Sequence, residues 1–310
     1  MSITHKKIQN RVAESGYTLP VTAAYALLTW LLSGMVDHGW WLQMGSMALC
    51  TYLLVELSNS NALLRIRSRM VSSCFLVLCC AANFMFPDTG GGVVGVLMVV
   101  ALRFLFSTYQ DKRSEGRYYY AFLALGAATL FRAGLLYFVP LIWVLCLTQL
   151  QSLTYRSWTA SLLGLLTPYW FLLPWLTFTH EWPRLTAHLA QLADLSFPIS
   201  YAVMSPPVVL TLSFVVVLFI IGMVHFWLRL FEDRIHIRQL YGFFGMMGIA
   251  TLLCLLLQPQ HYSLLLRLLI LYACPFVAHF FTLTNSRLTN IVFLVSVVLS
   301  VLIAVLNLLV

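Results

Sequence analysis

The chain has 310 residues, 61% of them apolar, and a formal net charge of +8 from 18 Lys and Arg against 10 Asp and Glu. Only 9% of the residues are charged, whereas a soluble domain carries roughly a quarter. The composition excludes an ordinary water-soluble enzyme and a disordered chain. It also excludes a nucleic-acid-binding domain, because the basic residues lie in short runs between long apolar stretches.

Eleven apolar stretches are candidates for membrane-crossing helices, since a span needs roughly 20 mostly apolar residues, with a range of about 17–25. In chain order they are 19–36, 40–57, 70–86, 93–109, 118–131, 133–150, 158–178, 207–230, 241–257, 263–281 and 290–310. We therefore predict an all-α fold, a polytopic transmembrane helix bundle of about eleven spans, within a range of roughly ten to twelve.

The charges predict how the spans are oriented, because Lys and Arg accumulate in cytoplasmic loops. With the N-terminus in the cytoplasm, 14 of the 18 fall in inner segments. These are Lys6, Lys7, Arg11, Arg65, Arg67, Arg69, Lys112, Arg113, Arg117, Arg156, Arg229, Arg234, Arg238 and Arg287. Arg103 lies near an inner helix end and can snorkel inward.

This alternation predicts a cytoplasmic segment 1–18 and a single transmembrane domain 19–310, with the C-terminus outside the cell's inner (plasma) membrane. Residues 1–19 are polar and basic, so we expect no cleavable signal and a first span that anchors the chain.

Residues 118–150 allow two interpretations, one long tilted helix or a hairpin that turns at Phe131-Arg132-Ala133-Gly134. A single helix would move every later loop to the other side and put Arg229, Arg234 and Arg238 outside, against the charge bias. We therefore predict the hairpin, with Arg132 below the membrane surface because the first arm is short.

The longest outer segment, 180–206, predicts an amphipathic helix. Pro183 suits a first helical position, and Leu185, Leu189 and Leu192 recur at helical spacing. The polar residues Arg184, His188, Gln191 and Asp194 fall on another face. Such a helix lies in the outer interface or packs on the bundle as a lid.

Three arginines, Arg132, Arg184 and Arg267, break the inside bias and are the candidate anion-binding residues. Ionisable groups at membrane depth are costly and are functional candidates for that reason, and guanidinium holds phosphate or carboxylate bidentately. The alternatives are that Arg267 snorkels or pairs with a loop carboxylate, and that Arg132 caps the C-terminal end of its helix.

General acid–base chemistry on the outer side has three principal candidates, Asp37, Asp88 and His261. Each is a residue type that can move a proton. The alternative is structural, since Asp37-His38 and Asp88 before a Gly triplet are typical of turns. Glu181, His188, Asp194 and His38 lie on the same predicted side.

The remaining polar residues and the cysteines are predicted to serve contacts between helices. Glu56 is expected to pair with the run Arg65, Arg67, Arg69, and His225 and His279 to hydrogen-bond between helices. The seven cysteines fall in apolar stretches and predict plain packing. We find no metal-ligand spacing, P-loop or Gly-x-Ser-x-Gly, and therefore predict no metal and no cofactor.

Two stretches carry a resemblance, and two shorter ones accompany them. They are Glu56-Leu57-Ser58-Asn59-Ser60-Asn61 through Arg69-Met70, and Tyr155-Arg156-Ser157-Trp158 ahead of Leu162-Leu163-Gly164-Leu165-Leu166-Thr167-Pro168-Tyr169, with Leu130-Phe131-Arg132 and Tyr137-Phe138-Val139-Pro140. Over most of its length the chain resembles an uncharacterised family of bacterial multi-pass inner-membrane proteins. This resemblance implies location and architecture.

More remotely, the layout is similar to membrane glycosyltransferases and polymerases that take sugars from polyprenyl phosphates. Those also combine many helices with outward-facing Asp and Arg and an amphipathic outer helix, although their first outer loop is larger than the four residues here.

Three functional hypotheses follow. The first is a subunit or scaffold of a cell-envelope process, with other envelope membrane proteins as partners, and it predicts scattered outer arginines. The second is an outward-facing enzyme acting on a lipid-linked anionic glycan, and it predicts that those arginines line one pocket with Asp37, Asp88 or His261. The third is a secondary transporter, with helices broken at Pro140, Pro168, Pro174 or Pro275. In each, the lipid bilayer is a partner.

Overall fold

The computed structural model describes residues 7–66, 68–180, 182–190, 192 and 201–309, without the side chains of residues 184, 189 and 202. Over these residues the chain is all-α, with fourteen α-helices. They are α1 Ile8–Glu14, α2 Thr18–Leu32, α3 Met35–His38, α4 Trp41–Ser60, α5 Met70–Ala81, α6 Thr89–Phe106, α7 Glu115–Phe131, α8 Phe138–Thr148, α9 Tyr155–Thr179, α10 Trp182–Ala190, α11 Pro206–Leu228, α12 Ile235–Leu257, α13 Tyr262–Leu283 and α14 Arg287–Leu309. Short 3-10 segments are Asn83–Met85, Ala133–Tyr137, Tyr201–Val203, Leu230–Glu232 and Pro259–His261.

Each of the eleven predicted spans coincides with a helix in the described structure: α2, α4 to α9 and α11 to α14. Six of these helices are long and apolar enough to cross a membrane: α6, α9, α11, α12, α13 and α14. Shorter apolar helices are Thr18–Leu32, Met70–Ala81 and Ala133–Thr148. The helices therefore have the composition of a multi-span membrane protein, and the larger number of about eleven spans remains a prediction.

Helix α13 is the centre of the bundle. It is apolar on every side and almost entirely buried, as expected of a helix surrounded by others, and it contacts α5, α6, α11 and α12. In contrast, α9 exposes Trp170, Phe171 and Phe178. Such side chains are contact surface for lipid tails in a multi-span membrane protein.

Contacts between loops separate the molecule into two ends. At one, Lys7 Nζ donates to Asn285 O at 3.3 Å, and Arg65 Nε donates to Asp233 Oδ1 at 2.7 Å. We call this the basic end, because most Lys and Arg lie there. At the opposite end, which we call the Asp88 end, the loop before α6 meets the start of α13, where Ser263 hydrogen-bonds Asp88. Within each end, these contacts join loops that the predicted alternation places on the same side of the membrane.

The hairpin predicted over residues 118–150 is confirmed. Helix α7 ends at Phe131, and Arg132 is extended, with φ −145° and ψ 100°. The hydroxyl of Tyr118 lies 2.7 Å from Ser152 Oγ, so the chain after α8 has returned to the start of α7. The break at Arg132 leaves it at the Asp88 end.

The segment 180–206, predicted to hold an outer amphipathic helix, includes α10 over residues 182–190. His188 Nε2 lies 2.9 Å from the carbonyl oxygen of Thr129 near the end of α7, and the Tyr137 hydroxyl donates to Leu192 O. These contacts place α10 against the α7–α8 turn, which favours the lid interpretation. Residues 181, 191 and 193–200, including Asp194, lie outside the described residues.

Candidate functional site

Asp88 is the N-cap of α6. Its Oδ1 accepts a hydrogen bond from Gly91 N at 3.0 Å, which satisfies one of the backbone donors left free at a helix start. Ser263 Oγ donates to Asp88 Oδ2 at 3.1 Å. Arg132 Nη2 lies 3.6 Å from Asp88 Oδ1, and the Asp88 side chain is 17% exposed. Asp88 is thus a turn former, as one interpretation of the sequence predicted, and it also joins three separate segments.

Arg267 reaches the same place from α13. Its Nη2 donates to Met85 O at 2.6 Å, whereas its Nε is buried without a hydrogen-bond partner among the described residues. The glycines of α6 give the side chain room, because a Cβ built on Gly91 would lie 3.5 Å from Arg267 Nε, and one on Gly95 would lie 3.6 Å from Cδ. We name Asp88, Arg132, Ser263 and Arg267 the Asp88 cluster.

Two small cavities flank the Asp88 cluster. One, of about 20 Å³, is lined by Arg267 together with Ser46 and Gly92. The other, of about 30 Å³, is lined by Arg132 together with Gln258 and His261. Either has room for only one or two water molecules. A larger ligand must therefore bind at the mouth, where the Arg132 side chain is 41% exposed.

The predicted site residues divide into three groups. The structure brings Asp88, Arg132 and Arg267 together and places His261 in the cavity beside Arg132. Asp37 is exposed on α3 and makes no hydrogen bond or ion pair that the described part of the chain shows. The side chain of Arg184 lies outside the described residues. Roles for Asp37 and Arg184 therefore remain predictions.

Sequence reasoning missed two polar residues. Ser263 carries no sequence signal, since an isolated serine before an apolar run is ordinary. Asp233 was overlooked because it stands among basic loop residues, yet its side chain is only 1% exposed. It lies at the basic end, where it accepts from Arg65 Nε at 2.7 Å and faces His279 Nε2 at 3.1 Å. His279 is therefore hydrogen-bonded, as the sequence predicted, although its partner lies in the α11–α12 loop and not on a neighbouring helix.

The electrostatics at Asp233 balance two opposed effects. Burial alone would raise the pKa of the Asp233 carboxyl, but the hydrogen bond from Arg65 and the charge and hydrogen bond of His279 outweigh it, and the pKa is lowered. The same pairing raises the pKa of Arg65. Asp233 is therefore a carboxylate that holds the α11–α12 loop against α13 and the Arg65 loop.

The partner predicted for Glu56 is wrong. Glu56 Oε1 pairs with Arg103 Nη1 at 2.5 Å, whereas Arg65 pairs with Glu232 and Asp233. The reason is that α4 packs along α6, so that Arg103 is opposite Glu56 at the same depth. Arg103 therefore does not simply snorkel to the inner surface.

Metal-binding groups are not evident in the described part of the chain, where no three His, Cys, Asp or Glu side chains are placed to hold an ion. The seven cysteines are free thiols, six of them buried.

The chain matches no protein-family model, no curated protein and no solved structure. Its function is therefore to be judged from the chemistry of its own side chains.

Proposed function

We propose that the chain is a multi-span protein of the cell inner membrane that binds the phosphate headgroup of a lipid-linked anion at the Asp88 cluster. One observation carries this proposal: Arg132 and Arg267, from different segments, both reach the start of α6, with Arg132 Nη2 3.6 Å from Asp88 Oδ1 and Arg267 beside Gly91. Two guanidinium groups near a single carboxylate leave a net positive charge, and the N-terminus of α6 adds positive potential.

The Asp88 cluster also contains hydrogen-bond donors that make no short contact within the described residues. Arg267 Nε is buried without a partner among the described residues, and the Arg132–Asp88 separation of 3.6 Å is longer than a charged hydrogen bond. An incoming phosphate can therefore take over Arg132 without breaking a short contact. Bidentate binding of phosphate is the chemistry for which guanidinium is best suited.

The charge bias supports an outward-facing Asp88 end, because Lys and Arg favour the cytoplasmic side. A lipid-linked anion in the outer leaflet then reaches the cluster directly. The resemblance to polyprenyl-phosphate-dependent membrane glycosyltransferases favours a glycan carrier lipid as this anion. Binding of this kind suits both an enzyme and a subunit of an envelope complex.

The transporter hypothesis has less support. Helix α9 continues through Pro168 and Pro174, and α13 continues through Pro275. Pro140 lies in the first turn of α8, where proline is tolerated. None of these prolines interrupts its helix. The transporter hypothesis, in contrast, required helices that are broken at one or more of them.

The first prediction tests binding. In native mass spectrometry of the full chain, a polyprenyl phosphate is expected to bind at least tenfold more tightly than the uncharged polyprenol of equal length. Replacing Arg132 by Gln is expected to weaken phosphate binding about tenfold or more, because a hydrogen bond to a charged group contributes about 1.5–3 kcal/mol. Arg132→Lys should restore little of it, since ammonium cannot bind bidentately.

The matched control is Arg103→Gln, which removes an arginine from the opposite end of α6 and should leave polyprenyl phosphate binding unchanged. Equal binding of the phosphate and the alcohol, or equal losses in the Arg103 and Arg132 variants, would contradict the proposal.

A second prediction separates binding from catalysis. Asp88→Asn keeps an N-cap side chain and removes a negative charge, so the affinity for polyprenyl phosphate is expected to rise several-fold. Incubation with a lipid-linked sugar phosphate then measures turnover in the wild type and in the variant. An enzyme that uses Asp88 as acid or base loses turnover despite tighter binding, whereas a binding subunit shows no turnover in either. Weaker phosphate binding by Asp88→Asn would count against the anion site.

A further inference from the structure

A groove of about 460 Å³ opens between α2, α5 and α14, far from the Asp88 cluster. Its volume lies within the range of about 300–1,000 Å³ that is usual for ligand sites. Its walls include Val21, Leu78 and Phe214, together with Phe281 and Val297.

Several of the hydroxyl groups that line the groove are hydrogen-bonded within their own helix, whereas Ser73 Oγ is buried without a hydrogen-bond partner among the described residues. Ser296 Oγ and Ser300 Oγ donate to carbonyl groups of their own helix, each at 2.7 Å, and Thr22 Oγ1 donates to Leu19 O at 3.0 Å. Such back-bonding satisfies the hydroxyl within the helix. The wall therefore presents mainly carbon, and an apolar chain fits it.

The depth of the groove matches one leaflet. On α5 the lining runs from Met70 to Leu78, a rise of eight steps or about 12 Å at 1.5 Å per residue. Half of a bilayer's hydrocarbon core is about 15 Å. The groove begins at the basic end, with Ile8 and Val12 of α1 at its mouth, and ends near the middle of the bundle.

The mouth carries two arginines against one carboxylate, Glu14 of α1. Arg11 lies between the two lining residues of α1, and Arg69 directly precedes Met70. Both side chains are exposed, and neither makes an ion pair or hydrogen bond that the described residues show. Helix α1 is fixed there, because Gln9 N donates to Asn290 Oδ1 at 3.2 Å.

We infer that this groove binds one acyl chain of an anionic phospholipid from the leaflet at the basic end, with its headgroup phosphate between Arg11 and Arg69. Apolar walls, a depth of about one leaflet and exposed guanidinium groups at the mouth together match that ligand. The site is independent of the Asp88 cluster, which lies at the other end.

The test compares dioleoylphosphatidylglycerol with dioleoylphosphatidylcholine in native mass spectrometry of the full chain. The wild type is expected to retain one phosphatidylglycerol with at least fivefold preference. Each basic residue near an anionic lipid contributes about fivefold in affinity, so Arg11→Gln with Arg69→Gln should abolish the preference. Val297→Trp, which fills the groove, should abolish retention of both lipids.

Two matched controls accompany these variants. Val295→Trp changes another exposed valine of α14, about 200° around the helix at 100° per residue, and should retain the lipid. Arg156→Gln removes an exposed arginine at the basic end and should retain the preference.

Equal retention of the two lipids by the wild type, or unchanged retention in Val297→Trp, would overturn the inference. Competition by glycerol phosphate alone would also overturn it, because that result assigns the basic mouth to a soluble anion. The arginine variants alter exposed side chains, so they remain informative if Val297→Trp does not fold.

Discussion

Replacing Asp233 by Ala is expected to lower the free energy of unfolding by about 3 kcal/mol. The change leaves His279, whose side chain is 1% exposed, facing no acceptor, and it removes the carboxylate that holds Arg65. Loss of one partner from a buried pair costs about 3–5 kcal/mol, and the lower end applies because Arg65 is a third exposed and can reach water. Unfolding in mixed micelles with increasing SDS, followed by circular dichroism, measures the difference.

The adjacent carboxylate supplies the control. Glu232 pairs with Arg65 at 3.0 Å and Arg229 at 2.6 Å, but its side chain is 43% exposed, so Glu232→Gln should change the free energy of unfolding little. Equal losses of unfolding free energy in the Asp233 and Glu232 variants would show that burial does not decide how much each ion pair with Arg65 stabilises the protein.

The effect of Asp233 should also depend on pH. Since folding lowers the pKa of Asp233, its contribution to stability is complete above the ordinary value of 3.8 and is lost as the pH falls through the lowered pKa. The difference between the wild type and Asp233→Ala should therefore stay level from about pH 8 to 5 and shrink only in stronger acid.

Replacing Gly164 by Ala is expected to destabilise the contact between α7 and α9 by about 1–3 kcal/mol. A Cβ at Gly164 would meet the carbonyl oxygen of Tyr119 and lie 3.0 Å from Leu123 N. From the other helix, a Cβ built on Gly126 of α7 would lie 2.5 Å from Leu165 O of α9. The two glycines thus bring the helix backbones into direct contact, and backbone atoms cannot move aside as a flexible side chain can.

Gly116→Ala is the control for this prediction. Gly116 lies in the first turn of α7 with nothing within 4 Å of a built Cβ, so alanine should be neutral or stabilise by up to about 1 kcal/mol. The midpoint of thermal unfolding in detergent compares the variants. A Gly164→Ala protein as stable as the wild type would mean that α7 and α9 do not depend on this close approach.

The amino-acid sequence by itself determined which segments are helical. Length and apolar composition identified eleven of the fourteen α-helices of the described structure, though not α1 or α3, and the charge pattern identified the hairpin at Arg132. These features are local, because a backbone in an apolar environment must satisfy its hydrogen bonds within each helix. The unequal distribution of Lys and Arg is likewise visible without coordinates.

Only the tertiary structure decided which polar groups meet. Asp88, Arg132 and Arg267 are far apart in the chain, and the sequence placed them on one side of the membrane without placing them in contact. The partner of Glu56 and the burial of Asp233 were missed for the same reason. Pairing of side chains depends on which helices are neighbours and how closely they approach. This is set by packing details such as the close approach of α7 and α9 at Gly126 and Gly164, which composition does not record.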